Sequence, residues 1–190
     1  MRIPNKAGDE GMLFEIPKFH EDIEKISLKN FYKIRNTYSD IIGIGQIDHF
    51  SINIIDPEDK IAILSYNPAV ILSLLKESVL AVDGTLSPTV FKKKEIYTWN
   101  EAYSPIFAEQ IKEAKEYKFH ITKGVILVRK CDGFHFIYSF ATKRDGRALH
   151  DDILVNKYFY FQMGDHCYKL IRDIYLKYSK FYSPPSLIEK

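Results

Sequence analysis

The sequence predicts an α+β fold, a central antiparallel sheet with helices on its faces. Helical and strand-like patterns follow one another in the order helix, two strands, helix, irregular segment, helix, two strands, helix. Both strand pairs are joined by a short segment of turn-forming residues, which is typical of antiparallel hairpins. The chain has 190 residues, 46% of them hydrophobic, enough for one core without disulfides or a structural metal.

The N-terminal third predicts a lead-in, a helix and a hairpin. Residues 1–17 contain two Pro and two Gly without periodicity and are interpreted as an extended lead-in to a single domain over 18–182, with a tail over 183–190. An apolar period near 3.6 predicts an amphipathic helix over 22–38. Alternation predicts a half-buried strand over 50–55, and Asp56-Pro57-Glu58-Asp59 has turn chemistry before a second strand over 61–66.

The middle of the chain predicts two helices separated by an irregular segment. Asn67-Pro68 is a helix start, because Asn caps free amides and Pro is tolerated in the first turn. That helix is expected to reach residue 79, before an irregular stretch and a short strand over 96–99. Residues 105–117 predict a second helix, with five charged residues expected to face water: Glu109, Lys112, Glu113, Lys115 and Glu116.

The C-terminal third predicts a second hairpin followed by helix. Strands over 125–130 and 134–141 flank Cys131-Asp132-Gly133, in which Gly takes a positive φ without steric cost. Apolar residues spaced three and four apart over 163–178 predict the apolar face of a terminal helix that Pro184-Pro185 ends. The sequence contains no internal repeat and no linker that divides it.

Composition excludes several classes of function. With 27 Lys and Arg against 25 Asp and Glu, the net charge is +2, far from that of a dedicated nucleic-acid binder. The Lys92-Lys93-Lys94 run is interpreted as a solvated loop. No apolar stretch approaches the roughly 20 residues that span a bilayer, and the first residues lack the apolar core of a secretion signal. A cytoplasmic protein without direct contact to nucleic acid or membrane is expected.

No motif indicates an enzyme, cofactor or metal. Nucleophile elbow, phosphate loop, dinucleotide fingerprint and zinc-protease motif are all absent from the sequence. His166-Cys167 and the pair of Cys131 with His135 each lack further metal ligands at useful spacing, so structural roles are favoured. A nucleophilic Cys131 is the third-ranked alternative, because nothing nearby in the sequence lowers a thiol pKa.

Aromatic residues indicate a pocket or its filled equivalent. The first hairpin, the helix after Asn67-Pro68, Trp99 and the second hairpin are expected to enclose an apolar space. Tyr66, Asp83 and Ser139 are polar groups able to orient a small ligand there. The alternative is a plain packed core, which composition alone favours.

The spacing of four residues resembles the N-terminal autoinducer-binding domain of LuxR-type regulators, a PAS-like sensor fold. Without a gap, Pro68 matches the family's Pro and Trp99 its second Trp, and Gly124 matches the Gly that opens the second half of the sheet. With one residue fewer in the hairpin turn, Ser139 matches a Ser that lines the family's pocket. The resemblance covers roughly residues 20–180, and each of its anchors is a single residue.

The departures from the family pattern bear on the ligand. Ile71 stands where the family's first Trp binds the lactone carbonyl, and Leu75 where its Tyr lines the pocket. Asn67 replaces a Tyr that contacts the acyl carbonyl, and Gly84 replaces the Asp that accepts the amide N–H. Because an unpaired buried amide costs about 1–3 kcal/mol, acyl-homoserine lactone is not the expected ligand. Asp83 substitutes for the missing Asp only if the local backbone shifts.

The resemblance implies a non-catalytic sensor or regulatory domain that takes a small, mostly apolar or amphipathic ligand. The predicted ligand-binding residues are Tyr66, Asn67, Ile71, Leu75, Asp83, Trp99 and Ser139. The family's helix-turn-helix has no counterpart in the sequence, so a stand-alone sensor that forms a homodimer or contacts a regulatory partner is expected. The alternative is a protein-interaction module, a regulator or secreted effector, with a filled core.

Overall fold

Six strands form one sheet in the computed structural model, which describes residues 15–144 and 146–181. The strands are β1 (Lys18–Phe19), β2 (His49–Ile55), β3 (Lys60–Ser65), β4 (Ile96–Thr98), β5 (Lys123–Cys131) and β6 (Phe134–Thr142). Their order across the sheet is β1-β3-β2-β6-β5-β4. Every neighbouring pair is antiparallel except β1 and β3, which are parallel at one edge. The predicted α+β class is confirmed.

Eight α-helices accompany the sheet in the described part of the chain. They are α1 (Ile23–Lys29), α2 (Phe31–Ser39), α3 (Pro68–Lys76), α4 (Pro88–Phe91), α5 (Trp99–Ala102), α6 (Ala108–Lys115), α7 (Gly146–Val155) and α8 (Lys157–Leu176). The helix predicted over 22–38 is divided at Asn30, where φ is −105° and ψ is 11°. The side-chain Nδ2 of Asn30 donates to the carbonyl of Ile26. The apolar period of the sequence does not show this break, because the helices on both sides of Asn30 bury apolar side chains.

Both predicted hairpins are present, and their turns have the expected chemistry. The Asp56 Oδ1 accepts hydrogen bonds from the amides of Glu58, at 2.8 Å, and Lys60, at 2.9 Å. In the second hairpin, Asp132 and Gly133 have φ values of 46° and 81°, as a two-residue turn of type I′ requires. These turns set the register of the two hairpins that meet at the centre of the sheet.

The two faces of the sheet carry different residues. One, here called the α8 face, bears Phe50, Ile52, Phe136, Tyr138 and Phe140, against which α2, α7 and α8 pack. The other, here called the α3 face, bears Ser51, Asn53, Ile137 and Ser139 beneath α3, α5 and α6. Helices on both faces bury all seven residues of β2. The half-buried strand predicted there is therefore wrong, because β2 lies inside the sheet and is covered twice.

The ends of the chain lie largely outside the described residues. This applies to residues 1–14 of the predicted lead-in, to the tail over 183–190 and to Pro184-Pro185. The domain bounds of 18 and 182 stay predictions. Within the described ranges, no helix combines the length and apolar character needed to cross a membrane.

Candidate functional site

A cavity of about 30 Å³ lies between the α3 face of the sheet and the helices that cover it. Its polar lining residues are His49, Ser51, Asn53, Asp83, Thr85, Lys115 and Ser139. The apolar ones are Ile63, Val70, Ile71, Leu74, Leu80, Leu86 and Trp99. A cavity needs roughly 10–15 Å³ to hold one water molecule, so this one has room for a few waters, whereas pockets for drug-sized ligands measure roughly 300–1,000 Å³. The site is therefore closed to larger ligands in this conformation.

Two central strands supply a polar floor to the cavity. Side chains alternate along a strand, so His49, Ser51 and Asn53 all project from β2 on the α3 face. Ser139 of β6 is directly opposite Ser51 in the register. The Asn53 Oδ1 is buried and has no hydrogen-bond partner among the described residues. An unpartnered buried carbonyl costs about 1–3 kcal/mol, so this oxygen is suited to a donor from outside the chain.

His49 is uncharged at neutral pH in the folded chain. Its burial, followed by the positive charges of Lys115 and Lys143, lowers the pKa of His49 from 6.5 to about 4. Burial disfavours the charged imidazolium because the cavity and the sheet solvate it poorly. The floor is therefore polar but carries no charge of its own.

Trp99 forms a wall that Gly124 makes possible. The indole Nε1 donates to the Ser139 Oγ at 3.0 Å, and a Cβ at position 124 would lie 2.0 Å from the Trp99 Cε2. Only glycine leaves room for an indole lying against β5. Trp99 begins α5, whose start is held by a capping box between Thr98 and Glu101. The Trp and Gly matched by the family resemblance are thus one packing unit.

A buried ion pair, Lys115 with Asp83, also lines the cavity. The Lys115 Nζ lies 2.8 Å from the Asp83 Oδ2 and 3.4 Å from the Thr85 Oγ1. The same ammonium lies 4.0 Å from the centroid of the Trp99 ring. The Asp83 Oδ1 accepts from the Thr85 amide and hydroxyl. Each charge is compensated, which burial demands.

The backbone explains the absence of Asp at position 84. A Cβ on Gly84 would lie 1.8 Å from the carbonyl oxygen of Ala102, so no side chain fits there. Asp83 instead caps the short 3-10 turn Gly84–Leu86 and points into the cavity. Its carboxylate is at the site, but it is paired within the chain by Lys115.

The structure brings together four of the seven predicted site residues: Trp99, Ser139, Asp83 and Ile71 line the cavity. Tyr66 does not, because strand alternation past Ser65 sends it to the α8 face, where the Arg35 guanidinium lies 5.3 Å from its ring centroid.

Asn67 and Leu75 also lie outside the lining. The Asn67 Oδ1 accepts from the Ala69 amide at 3.1 Å, which makes Asn67 the N-cap of α3. Leu75 packs against the same core one helical turn beyond Ile71. The side-chain oxygen of Asn67 is therefore used in helix capping, and Leu75 lies one turn too far along α3 to reach the cavity.

Sequence reasoning missed His49, Ser51, Asn53, Thr85 and Lys115. Ser51 and Asn53 alternate with apolar residues in the strand predicted as half-buried, and His49 lies just before the predicted bounds of 50–55. Lys115 and Glu116, expected to face water, are 7% and 4% exposed. In both cases the available signal was periodicity, which separates two faces but does not show what covers each.

The other candidate side chains are the cysteines and histidines that were weighed as metal ligands. No group of three or more His, Cys, Asp or Glu side chains is placed to hold a metal ion there. Cys167 is fully buried in α8, where burial raises the pKa of its thiol to about 12. It behaves as a small apolar residue.

Comparison with known proteins gives a shared fold. No family model matches the chain, and no curated protein matches its sequence. The chain is similar to a crystal structure of Escherichia coli SdiA, with 18% identity and a TM-score of 0.57, over 86% of this chain and 71% of that one. It is also similar to SdiA in complex with octanoyl-rac-glycerol, with 16% identity and a TM-score of 0.51, over 87% and 64%. The chain therefore has the fold of LuxR-type autoinducer-binding domains, as the resemblance implied.

Proposed function

We propose that the chain is a small-molecule sensor or regulatory domain whose site is the cavity beside Trp99. The observation that carries the proposal is the polar floor, above all the Asn53 oxygen that no described residue satisfies. Buried polar atoms are normally hydrogen-bonded, and of the six unpartnered ones among the described residues, the Asn53 Oδ1 is the one whose residue lines the cavity. A ligand with an N–H or O–H donor would repay this cost.

We infer from the small cavity volume that the structure described above is the closed, ligand-free state. A ligand larger than water requires α3 and α6 to move away from the sheet. These helices have nine and eight residues, against 20 in α8 on the opposite face. Helices this short have marginal stability in isolation and depend on tertiary contacts. We therefore expect α3 and α6, rather than α8, to move away from the sheet.

The fold supports a ligand role, since SdiA shares it and one SdiA structure is in complex with octanoyl-rac-glycerol. Acyl-homoserine lactone remains an unexpected ligand here, because Ile71 offers no hydrogen bond to a lactone and Gly84 no carboxylate to an amide. We propose a small amphipathic molecule whose donor group reaches Asn53 and whose apolar part lies against Ile71 and Trp99.

A protein-interaction module with a filled core is the second candidate. The cavity of about 30 Å³ favours it, since the space is nearly filled by the chain itself. Under this alternative the polar floor holds a water molecule, and regulation takes place on the outer surface. The two candidates differ in whether occupancy of the cavity by another molecule changes stability.

Ligand retention and matched variants of α3 test the proposal. The purified chain is examined by native mass spectrometry, then screened against metabolite fractions by thermal shift. Ile71→Phe fills the cavity wall, whereas Leu75→Phe adds the same ring one turn away. A ligand at this site stabilises the wild-type chain and the Leu75 variant but not the Ile71 variant. Equal responses of the two variants, or no response of the wild-type chain, would refute it.

The proposal also covers catalysis, cellular location and partners. We propose that the domain is not an enzyme, that it acts in the cytoplasm without contacting nucleic acid directly, and that it signals through a homodimer or a regulatory protein partner. A ligand shifts such an equilibrium only by its different affinities for the two states.

A further inference from the structure

The ammonium of Lys115 is enclosed by groups that match its chemistry. Lys115 is 7% exposed, although it ends a surface helix. Its three N–H donors have three kinds of neighbour: the Asp83 carboxylate at 2.8 Å, the Thr85 hydroxyl at 3.4 Å and the face of Trp99 at 4.0 Å. The Tyr103 ring centroid lies 5.5 Å away. A carboxylate with aromatic faces is the combination that recognises organic ammonium groups.

The groups around the ammonium are positioned by contacts that do not involve Lys115. Asp83 is held by the amide of Thr85 at 3.0 Å and its hydroxyl at 2.7 Å. Trp99 is held by Ser139 and by its close fit over Gly124. The carbonyl of Thr85 accepts from the Tyr97 hydroxyl at 2.8 Å. We therefore expect Asp83, Thr85 and Trp99 to stay in place when the lysine side chain is removed.

We propose that Asp83, Thr85, Trp99 and Tyr103 form a binding subsite for a primary ammonium group, and that Lys115 fills it in cis. The subsite adjoins the cavity, so the tethered ammonium fastens the end of α6 over the proposed ligand site. Its regulatory meaning rests on the proposed function. A ligand that carries an aliphatic amine is the class able to replace Lys115 and release α6.

Removal of the side chain and supply of its missing atoms test the subsite. Lys115→Ala deletes three carbons and the ammonium, which n-propylammonium replaces. Because Trp99 is the single Trp of the chain, its fluorescence reports directly on the subsite. Loss of one partner of a buried ion pair is expected to lower Tm by roughly 6–20 °C. Titration with n-propylammonium is expected to raise Tm again and to return the Trp99 emission toward that of the wild-type chain.

Four controls separate the effect of the ammonium from its size, from ionic strength, from the loss of another lysine and from binding elsewhere than at Asp83. n-Propanol has the same length without charge, and sodium chloride matches the salt; neither is expected to restore Tm. Lys112→Ala removes a lysine of the same helix that pairs with exposed Glu109, and no response to the amine is expected. Adding Asp83→Asn to the Lys115→Ala chain is expected to abolish the response.

Equal rescue by n-propanol, or no rescue by n-propylammonium, would overturn the proposal. If Lys115→Ala does not fold alone, it is refolded with the amine, and failure to recover the fold then also counts against the subsite. Lys115→Met, which keeps the space filled, provides a folded chain that is expected not to respond. A wild-type chain that binds no metabolite refutes the proposed function but leaves rescue of Lys115→Ala unaffected, so the two failures are distinguishable.

Discussion

Helices cover both faces of the sheet, but the side chains buried beneath them differ between the two faces. On the α8 face, Phe50 packs against Tyr38 and Phe140 with ring centroids 4.8 Å away in each case. The Tyr138 hydroxyl donates to the Asp165 Oδ1 at 2.6 Å, and the Arg129 Nη2 donates to the Oδ2 of the same carboxylate, also at 2.6 Å. Rings fill this side, and the charged pair at its edge is compensated.

The α3 face replaces the rings with small polar side chains at the same strands. Neighbouring residues of a strand point to opposite faces. Ser51, Asn53 and Ser139 therefore present hydroxyl and amide groups to the α3 face, while Phe50, Ile52 and Phe140 present apolar side chains to the α8 face. The result is a cavity, an unpartnered oxygen and an ammonium held against an indole. Buried oxygens without a partner occur on both faces among the described residues, but the α3 face also encloses a small polar cavity, which is the proposed site.

The largest effect on the free energy of unfolding is expected when one of two neighbouring residues of β6 is truncated to alanine. Phe140→Ala removes a fully buried ring and is expected to lower the free energy of unfolding by about 4 kcal/mol. Ser139→Ala, one residue earlier and on the other face, is expected to cost about 1 kcal/mol, because a water molecule in the cavity can replace the hydroxyl as acceptor for Trp99. Chemical denaturation measures both, and equal losses would remove the contrast between the faces.

An intermediate effect is expected from His49 as the pH falls. Its folded pKa of about 4 lies below the ordinary value of 6.5, so between these values the unfolded chain binds a proton that the folded chain does not. This contribution to stability is complete above pH 6.5 and is lost as the pH falls to about 4, by about 3 kcal/mol in total.

His49→Gln is therefore expected to lose less stability than the wild-type chain between pH 6.5 and pH 4. Denaturant unfolding at a series of pH values measures the difference. His166→Gln, an exposed change on α8, controls for the loss of an imidazole as such. An unchanged pH dependence in the His49 variant would show that the α3 face does not bury its histidine uncharged.

The smallest effect is expected at Asn53, and it has the opposite sign. Asn53→Leu keeps the branching at Cγ, removes the unpartnered oxygen and uses the cavity for its extra volume. We expect the free energy of unfolding to rise by about 1 kcal/mol, while any ligand-dependent thermal shift is lost. Asn30→Leu, which removes a side chain that donates to the Ile26 carbonyl, is expected to destabilise instead. If Asn53→Leu lowered the free energy of unfolding instead, the proposal that Asn53 lowers stability and serves ligand binding would be contradicted.

Local patterns predicted the elements of the fold well and the site in part. The Asp-Gly and Asp-Pro turns act within four residues, so the hairpins were predictable without knowledge of the rest of the chain. Trp99, Ser139, Asp83 and Ile71 were named from spacing and resemblance, and all four line the cavity. Tyr66 was predicted to line the same space, but alternation along β3 puts it on the α8 face with Leu64.

The alternation of strands and helices and the two hairpins are predictable from the amino-acid sequence alone, because they depend on interactions between near neighbours. The close fit of Trp99 over Gly124, the cover on both faces of β2 and the inward position of Lys115 are set by tertiary packing. Burial depends on which elements cover a surface, and the partners of Lys115 lie 30 and 32 residues away along the chain. A charge on a helix is therefore ordinary in sequence and becomes a site only when distant segments enclose it.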